Sequence, residues 1–385
     1  MYRFPILFAF VFFVGYSSLA QDLVYAKKTI NTLTSKKYWG RGYTKNGMAK
    51  AADFIEKEFR SFGLSPLNDG SYKQYFSFPA NTFPSKMDLK INGQKLIPGK
   101  DFIVHQASKG IKTTDSLVPK DSNTYLNKNG NVIVSLAPKL TWSASQKVLD
   151  YTIVEVYRKA LPTNPTVINI DIENAFIPSF TAANVAAIVK GTTKPDSVIV
   201  FTAHYDHLGG MGNKTYFPGA NDNASGVAML LNLAKYYSAN PPKYSVAFIA
   251  FAAEEIGLLG SKYFTENPLL PLQNIRFLWN LDLLGTGETG ATVVNATIHP
   301  QEFALLNKIN NERKLLPKIN PRGKAANSDH YFFTEKGVPA FFLYTQGGIS
   351  AYHDVNDKAA TLPLTAFENL FKLFVAFNKE LASKI

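Results

Sequence analysis

The stretch Val198–Gly210, VIVFTAHYDHLGG, decides how the second half of this chain is interpreted. It begins as a run of β-branched and apolar residues, which is typical of a strand buried on both faces of a sheet. The run ends abruptly in His204, Asp206 and His207, followed by glycines. Imidazoles and a carboxylate at the end of a buried strand are costly to desolvate unless a partner compensates them. The stretch therefore predicts a central strand that opens into a functional site.

Around this stretch, from residue 181 onward, apolar runs of strand length alternate with amphipathic segments of helix length. This rhythm predicts an α/β fold with a mixed central sheet and helices on both faces. An earlier amphipathic helix is predicted over Asn46–Phe62, with Asn46 as its cap. The predicted strands of this region are Ser197–His204, which contains the start of the stretch above, Tyr244–Ala252, Ile275–Leu281 and Val338–Tyr344. The other predicted helices are Ser225–Tyr237, Gly257–Glu266, Pro300–Glu312 and Pro363–Leu381.

The middle of the chain has a different pattern. Residues 81–180 alternate polar and apolar positions between Asn-Gly turns, which indicates short antiparallel strands. We therefore predict a smaller, mostly β insertion there. The main domain would be built from residues 21–80 and residues 181–385.

Residues 1–20, MYRFPILFAFVFFVGYSSLA, have the pattern of a secretory signal peptide with cleavage after Ala20. The alternative is an uncleaved membrane anchor. The apolar run from Phe4 to Gly15 is shorter than the roughly 20 residues that a membrane-spanning helix needs, so cleavage is favoured. We expect a secreted or periplasmic protein without stable membrane insertion.

The composition restricts the disulfides, the metal ligands and the charged partners that this chain can have. The 385 residues include no Cys, so disulfides are excluded and a metal would need nitrogen and oxygen ligands. The net charge of +12 is concentrated in residues 1–180, which carry +10, whereas residues 181–385 carry +2. Nucleic-acid binding is one interpretation of this basicity, but the lysines are scattered singly. A solvated surface or a loose attraction to anionic polymers is therefore favoured, and no nucleic-acid partner is expected.

Carboxylates follow two further apolar runs. Glu254 and Glu255 come after VAFIAFAA, and Asp282 comes after IRFLWNL. In open α/β sheets, ligands bind where the strands run out. Taken singly, each residue has an ordinary structural role as an alternative; Asp222, for example, could cap a helix. The adjacent glutamates, however, would repel each other, and FAAEEIGLLG contains no Lys or Arg to compensate them. Two divalent cations would do so.

The motifs AHYDHLGG, GANDNASG, EE, NLDLLG, SDH and YH…D, in this order, resemble those of the M28 family of zinc peptidases, which are aminopeptidases with two zinc ions. The resemblance covers most of residues 181–385. It implies that His204 and Asp282 hold one zinc, that Glu255 and His353 hold the other, and that Asp222 bridges them. Such a set uses ligands that zinc accepts, at the ~3.5–4 Å metal spacing that one carboxylate can bridge.

The resemblance also implies catalytic roles. Glu254 would be the general base on a metal-bridging water, and Asp206 would orient a ligand imidazole. Tyr352 matches a tyrosine that stabilises the oxyanion in several relatives; packing in the core is an equal alternative. The segment Ser328–His330 and His207 would be structural.

Three functions follow in order of preference. The first is an exported aminopeptidase that acts on peptides with two Zn²⁺ ions. The second is a glutaminyl cyclase, a relative that uses one zinc to form N-terminal pyroglutamate and often places Trp where this chain has Tyr352. The third is a binding protein on an inactive peptidase fold, which the retention of all five ligands and the base disfavours.

Overall fold

The computed structural model describes residues 22–383. The predicted signal peptide, residues 1–20, lies outside the described residues. Among the helices of residues 22–383, none combines the length and the apolar character needed to cross a membrane.

The described residues form seven α-helices and nineteen strands, which are numbered here in chain order. The helices are α1 (Leu23–Leu33), α2 (Gly47–Ser61), α3 (Gly226–Ala239), α4 (Leu259–Glu266), α5 (Pro300–Arg313), α6 (His330–Glu335) and α7 (Phe367–Ser383). The strands are β1 (Ser65–Pro66), β2 (Lys73–Thr82), β3 (Met87–Ile91), β4 (Gln94–Leu96), β5 (Phe102–Val104), β6 (Ile111–Pro119), β7 (Thr124–Asn127), β8 (Val132–Ala137), β9 (Thr152–Tyr157), β10 (Val167–Ile172), β11 (Ala175–Val189), β12 (Lys194–His204), β13 (Gly210–Met211), β14 (Thr215–Tyr216), β15 (Tyr244–Phe251), β16 (Ile275–Leu281), β17 (Gly290–Val294), β18 (Ile319–Pro321) and β19 (Ala340–Gln346).

A nine-stranded mixed sheet forms the centre of the molecule, in the order β1-β11-β15-β12-β16-β19-β17-β18, with β2 paired to β11. Its middle strands β15, β12, β16 and β19 run parallel, and β11 and β17 flank them antiparallel. All eight residues of β15 are buried, as expected for a strand covered on both faces.

Helices cover both faces of this sheet. Along β12, Ile199 and Phe201 belong to one apolar core, which also contains residues of α2, α3 and α7. Their neighbours Val198 and Val200 belong to a second core on the opposite face, together with Phe264 of α4. This division follows from the two-residue repeat of a strand. The predicted α/β fold with a mixed sheet and helices on both faces is confirmed.

An eight-stranded sheet, in the order β4-β3-β10-β6-β7-β8-β9-β5, lies between β2 and β11 in the chain. We call residues 81–180, which contain it, the insert. Its pairs are antiparallel except for β8 and β9. Its strands alternate buried and more exposed positions. The core of the insert also takes in Leu208, Met211 and Phe217, which follow His204 in the chain. The insert therefore packs against the loop that leaves the central strand.

Two local expectations differ from the structure. The side chain of Asn46 makes no capping hydrogen bond, so its predicted capping role is wrong. Asn46 instead adopts a left-handed conformation with φ of 57°, and its carbonyl oxygen accepts a hydrogen bond from Lys50. Helices α1 and α6 were not predicted. Helix α1 is short, and its cap Asp22 lies at the boundary of the predicted signal peptide, where no preceding pattern marks a start.

Candidate metal centre

Three neighbouring parallel strands bring four of the predicted site residues to one edge of the central sheet. His204 is the last residue of β12, and Asp282 directly follows β16. Glu254 and Glu255 come three and four residues after Phe251, the end of β15. Strands β15, β12 and β16 are adjacent in the sheet, so their carboxyl ends meet. The order of strands thus explains why residues from three strands that are 27 to 78 positions apart in the chain form one site.

Asp222 and His353 reach the same place from loops. Asp222 lies in a tight turn, Ala220–Ser225, directly before α3, and it does not cap the helix through its side chain. Its Oδ1 is 3.3 Å from Nε2 of His204, and its Oδ2 is 3.1 Å from Nε2 of His353. Each oxygen of one carboxylate therefore faces a different imidazole.

The two imidazoles have one further carboxylate each. His204 Nε2 is 3.4 Å from Oδ1 of Asp282, and His353 Nε2 is 3.0 Å from Oε2 of Glu255. The structure thus brings all five predicted ligands together as two groups that share Asp222. Donor atoms of His204, Asp222 and Glu255, which come from both groups, lie within 4.8 Å of one another, so the two groups form one continuous site.

The donors fit zinc. Every one is an imidazole nitrogen or a carboxylate oxygen, and zinc accepts both. Asp282 Oδ1 is buried and has no hydrogen-bond partner, although it faces the shared site. A buried carboxylate oxygen without a partner is costly, and a bound cation would satisfy it. We conclude that the residues suit a pair of divalent cations.

Without cations, the carboxylates and imidazoles of the site perturb one another strongly. Burial disfavours a charged His204, but Glu254 and Asp282 outweigh it and hold the pKa of this imidazole well above its ordinary value. The same balance, with Glu255 and Asp222 as the carboxylates, raises the pKa of His353 to about 11. Burial and the nearby charge of Glu255 raise the pKa of Glu254 well above that of an ordinary carboxyl. In the absence of cations, the site therefore favours protonated imidazoles and a protonated Glu254, which add positive charge or remove negative charge.

Asp206 occupies a different position from the one expected of it. Its Oδ1 is 3.8 Å from Nδ1 of His204, too far for a hydrogen bond, and that nitrogen has no hydrogen-bond partner. The buried carboxylate instead accepts the backbone N–H groups of Glu254 at 3.1 Å and Glu255 at 3.3 Å. These amides lie in the turn after β15, which runs beside β12. Asp206 thus holds the two glutamates rather than the imidazole.

Other buried side chains orient the predicted ligands. His207 Nδ1 lies 2.6 Å from Oε1 of Glu255, opposite the oxygen that faces His353. Ser328 donates a hydrogen bond of 3.0 Å to Oδ2 of Asp282, which leaves Oδ1 directed at the site. The sequence prediction gave His207 and Ser328 structural roles without naming their partners, because no local pattern links them to residues so distant in the chain.

The insert reaches the site through Trp142, which the sequence did not indicate. The carbonyl oxygen of Trp142 lies 2.9 Å from Nδ1 of His353, and the carbonyl oxygen of His353 accepts the N–H of Trp142. This contact directs Nε2 of His353 towards the carboxylates. The indole stacks on Phe217 at 4.7 Å and donates a hydrogen bond to the carbonyl of Val104. The indole of Trp142 is thus held by a stacking contact and by a hydrogen bond.

Arg41 and Asp357 hold the turn that carries Asp222. The fully buried guanidinium of Arg41 donates hydrogen bonds to the carbonyls of Pro218, Gly219 and Asp222, among others. The carboxylate of Asp357 accepts the N–H groups of Asn221 and Asp222 at 2.8 and 3.0 Å. Asp357 is the last residue of the YH…D motif, so its position in the motif was a usable signal. Arg41 lies between two glycines in a segment that also contains several lysines, and nothing in that local pattern indicates its partners.

Tyr352 lies on the surface of the site. Its side chain is 43% exposed, and its ring stacks on that of His353 at 4.0 Å. The core-packing interpretation is therefore wrong, since the ring lies in an open cavity. This cavity, of about 300 Å³, is lined by His204, Asp222, Glu254, Asp282, Leu283, Arg322, Asn327, Phe342, Tyr344, Tyr352 and His353.

Comparison with known proteins identifies several relatives of this chain. The curated relatives include aminopeptidase YwaD of Bacillus subtilis, which is 30% identical over 162 residues, 41% of this chain and 34% of the relative. A probable zinc metalloprotease of Pyricularia oryzae is 38% identical over 112 residues, 28% of this chain and 22% of the relative. The matched segments thus span only about a fifth to a third of these relatives.

Solved structures resemble the whole described chain. A zinc aminopeptidase from Bacillus subtilis superimposes with a TM-score of 0.69 at 18% identity, covering 94% of this chain and 95% of that one. An aminopeptidase from Aneurinibacillus sp. strain AM-1 gives a TM-score of 0.66 at 21% identity, with coverage of 94% and 95%. At these identities, the likeness establishes the fold. The sequence profile of peptidase family M28 matches residues 184–378, half of the chain, and this range contains all five predicted ligands. With the fold, the site and this match in agreement, the chain belongs to peptidase family M28.

Proposed function

We propose that this protein is a zinc aminopeptidase that uses two Zn²⁺ ions and hydrolyses peptides from their N-terminal end. The observation that carries the proposal is the position of Asp222, whose two oxygens face two different imidazoles at 3.3 and 3.1 Å. A carboxylate placed in this way can hold two ions at the ~3.5–4 Å spacing of paired-metal hydrolytic sites. His204 and Asp282 would complete one site, and His353 and Glu255 the other.

Zinc, when bound, lowers the pKa of a water molecule and polarises the carbonyl of the scissile bond. Glu254 lies beside this site, with donor atoms of His204, Glu254 and Asp282 within 4.8 Å of one another. In the proposal, the Glu254 carboxylate accepts the proton of the attacking water. It then delivers that proton to the amine nitrogen of the departing product.

Neighbouring side chains give the two glutamates different roles. Asp206 anchors the backbone amides of both, while His207 holds Glu255 through the oxygen that faces away from His353. Glu255 is thereby committed to the metal pair, and Glu254 stays directed at the cavity. Tyr352 is the proposed oxyanion donor, because it lines the cavity beside the predicted ligands and its ring stacks on that of His353.

The test is a panel of aminoacyl-4-nitroanilides assayed after zinc loading, after chelation and after zinc is restored. We expect about two zinc ions per chain by elemental analysis, hydrolysis of free N-terminal substrates, and loss of activity with chelator. An N-acetylated substrate is the matched control and should resist cleavage.

Two other results would contradict the proposal. One zinc ion per chain at saturation, with pyroglutamate formed from an N-terminal Gln peptide, would identify a glutaminyl cyclase. Equal cleavage of blocked and free peptides would identify an endopeptidase.

We also propose that the protein is exported and cleaved after Ala20. The support is the apolar run from Phe4 to Gly15 and the small residues Ser18 and Ala20 at the positions that signal peptidase prefers. N-terminal sequencing of protein recovered from the producing cells should begin at Gln21. An intact N-terminus in a membrane fraction would show an anchor instead.

A further inference from the structure

We infer that Arg322 forms a carboxylate-binding subsite in the cavity, so that the enzyme prefers substrates with a negative charge near the scissile bond. The inference rests on the proposed peptidase function and specifies its substrate class. Arg322 is the one Lys or Arg among the described residues that line the cavity beside the predicted ligands.

The backbone of Arg322 is held firmly although its side chain is exposed. Arg322 directly follows β18, and its N–H donates a hydrogen bond of 2.9 Å to the carbonyl of Val293 in β17. The next residue, Gly323, accepts a hydrogen bond from Asn295. The guanidinium therefore projects from the edge of the central sheet and not from a free loop.

The guanidinium is also oriented, yet it is not neutralised. Its Nη1 donates a weak hydrogen bond of 3.4 Å to the hydroxyl of Tyr344, whose ring lies 5.3 Å from that of Phe342. Within residues 22–383, none of the ion pairs includes Arg322. The remaining N–H groups of the fork are available to a ligand.

With two divalent cations bound, the carboxylates of the site would be neutralised and would not pair with Arg322. Three ligand carboxylates, Asp222, Glu255 and Asp282, and the base Glu254 would together offset two divalent cations. A cation at the cavity wall then attracts an anion into the cleft, and because the side chain is exposed, salt weakens this attraction. Because guanidinium matches carboxylate in a bidentate geometry, the expected ligand is a carboxylate.

Two parts of a peptide could supply this carboxylate: an acidic side chain on the N-terminal residue, or the terminal carboxylate of a very short peptide. The chemistry of recognition is the same. The cavity of about 300 Å³ is at the small end of ligand pockets and admits either one.

The experiment compares matched substrates on the zinc-loaded enzyme and on R322Q. Glu- and Gln-4-nitroanilide have nearly the same shape and test the side chain, whereas Leu-Gly and Leu-Gly amide test the terminal carboxylate. K318Q removes the same charge from an exposed lysine just before β18 that does not line the cavity. Calorimetric binding of glutamate against glutamine gives a readout that needs no turnover.

We expect the charged member of at least one pair to be preferred, and R322Q to reduce that ratio of kcat/KM by about 10- to 100-fold, the effect of one hydrogen bond to a charged group. K318Q should keep the ratio, and R322Q should still cleave Leu-4-nitroanilide. Hydrolysis of Leu-4-nitroanilide with no charge preference, or with a preference that R322Q retains, would overturn the inference and leave the proposed function intact. Zinc-loaded wild type that cleaves none of the substrates would instead overturn the proposed function.

Discussion

The strands of the two sheets of this protein are buried in different ways, and only the central sheet brings predicted metal ligands together at its edge. Strand β15 of the central sheet is buried along its whole length, whereas strands β8 and β9 of the insert alternate buried and more exposed residues. A half-solvated strand can direct polar side chains at water. A strand buried on both faces has no such outlet, so polar groups collect where it ends. Both groups of potential metal ligands among the described residues come from the α/β part.

The insert is not separate from the site. It supplies the carbonyl of Trp142 to His353. The α/β part thus provides the charged ligands, and the insert provides a neutral acceptor that orients one of them.

The central sheet should show the largest effects, at the two glutamates. We expect E254Q to keep both zinc ions and to lose about 10²- to 10⁴-fold in kcat, since it removes only the group that transfers protons. E255Q should lose zinc as well, because its carboxylate faces His353 at 3.0 Å. Metal analysis beside steady-state kinetics separates the two. Equal retention of zinc and activity in both variants would show that the roles are wrongly assigned.

Asp206 tests whether the turn after β15 is positioned from β12. In D206N, one of the two oxygens that accept the amides of Glu254 and Glu255 is replaced by a donor. We expect zinc affinity to fall by about 10- to 100-fold, as for other losses of groups that orient ligands, and activity to recover in part with excess zinc. Zinc titration followed by activity measures this. H204A is the control that no zinc concentration should rescue.

A D206N enzyme that stayed inactive with both zinc ions demonstrably bound would place Asp206 in the chemistry itself. That outcome would contradict the geometry, in which the buried carboxylate contacts the backbone of the glutamates.

Trp142 tests the contribution of the insert. W142A removes the ring that stacks on Phe217 and releases the backbone that meets His353. We expect a loss of stability of about 3–5 kcal/mol and a fall in zinc affinity of about 10-fold. The matched control is I170A, another fully buried position of the insert core. It should cost about 2–5 kcal/mol without changing zinc affinity. If both variants weakened zinc equally, the insert would act through general stability alone.

The smallest effect concerns the basic surface of the N-terminal half; residues 1–180 carry +10, which includes Arg3 of the predicted signal peptide. We propose that the insert shapes access and that this charge steers acidic peptides. In the R322Q background, the preference for acidic over neutral peptides should fall a few-fold between 0.05 and 1 M salt, because the screening length falls to about 3 Å at 1 M. A preference that is independent of salt would exclude steering.

Much of the α/β part could be predicted because its signals are local. The strand Ile275–Leu281 has the predicted bounds, and helix α5 differs from its prediction by one residue. Runs of apolar residues and helical repeats are determined by neighbours a few positions away, and these are visible in a single sequence. The predicted capping role of Asn46 failed because a capping residue depends on where the preceding chain enters, and that is set by tertiary packing.

The site divides in the same way. The amino-acid sequence alone indicated which residues are candidate ligands, through polar residues that follow predicted strands and through motifs that resemble those of family M28, and their types restrict the metal. Only the tertiary structure decided their partners: Asp206 binds two amides and not His204, His207 holds Glu255, and Tyr352 is exposed. The physical reason is that a hydrogen bond forms or fails on differences of a few tenths of an ångström in the distance between donor and acceptor, and here these atoms come from different strands. The contact between Trp142 and His353, 211 positions apart, exists because the insert folds back onto the loop after β12.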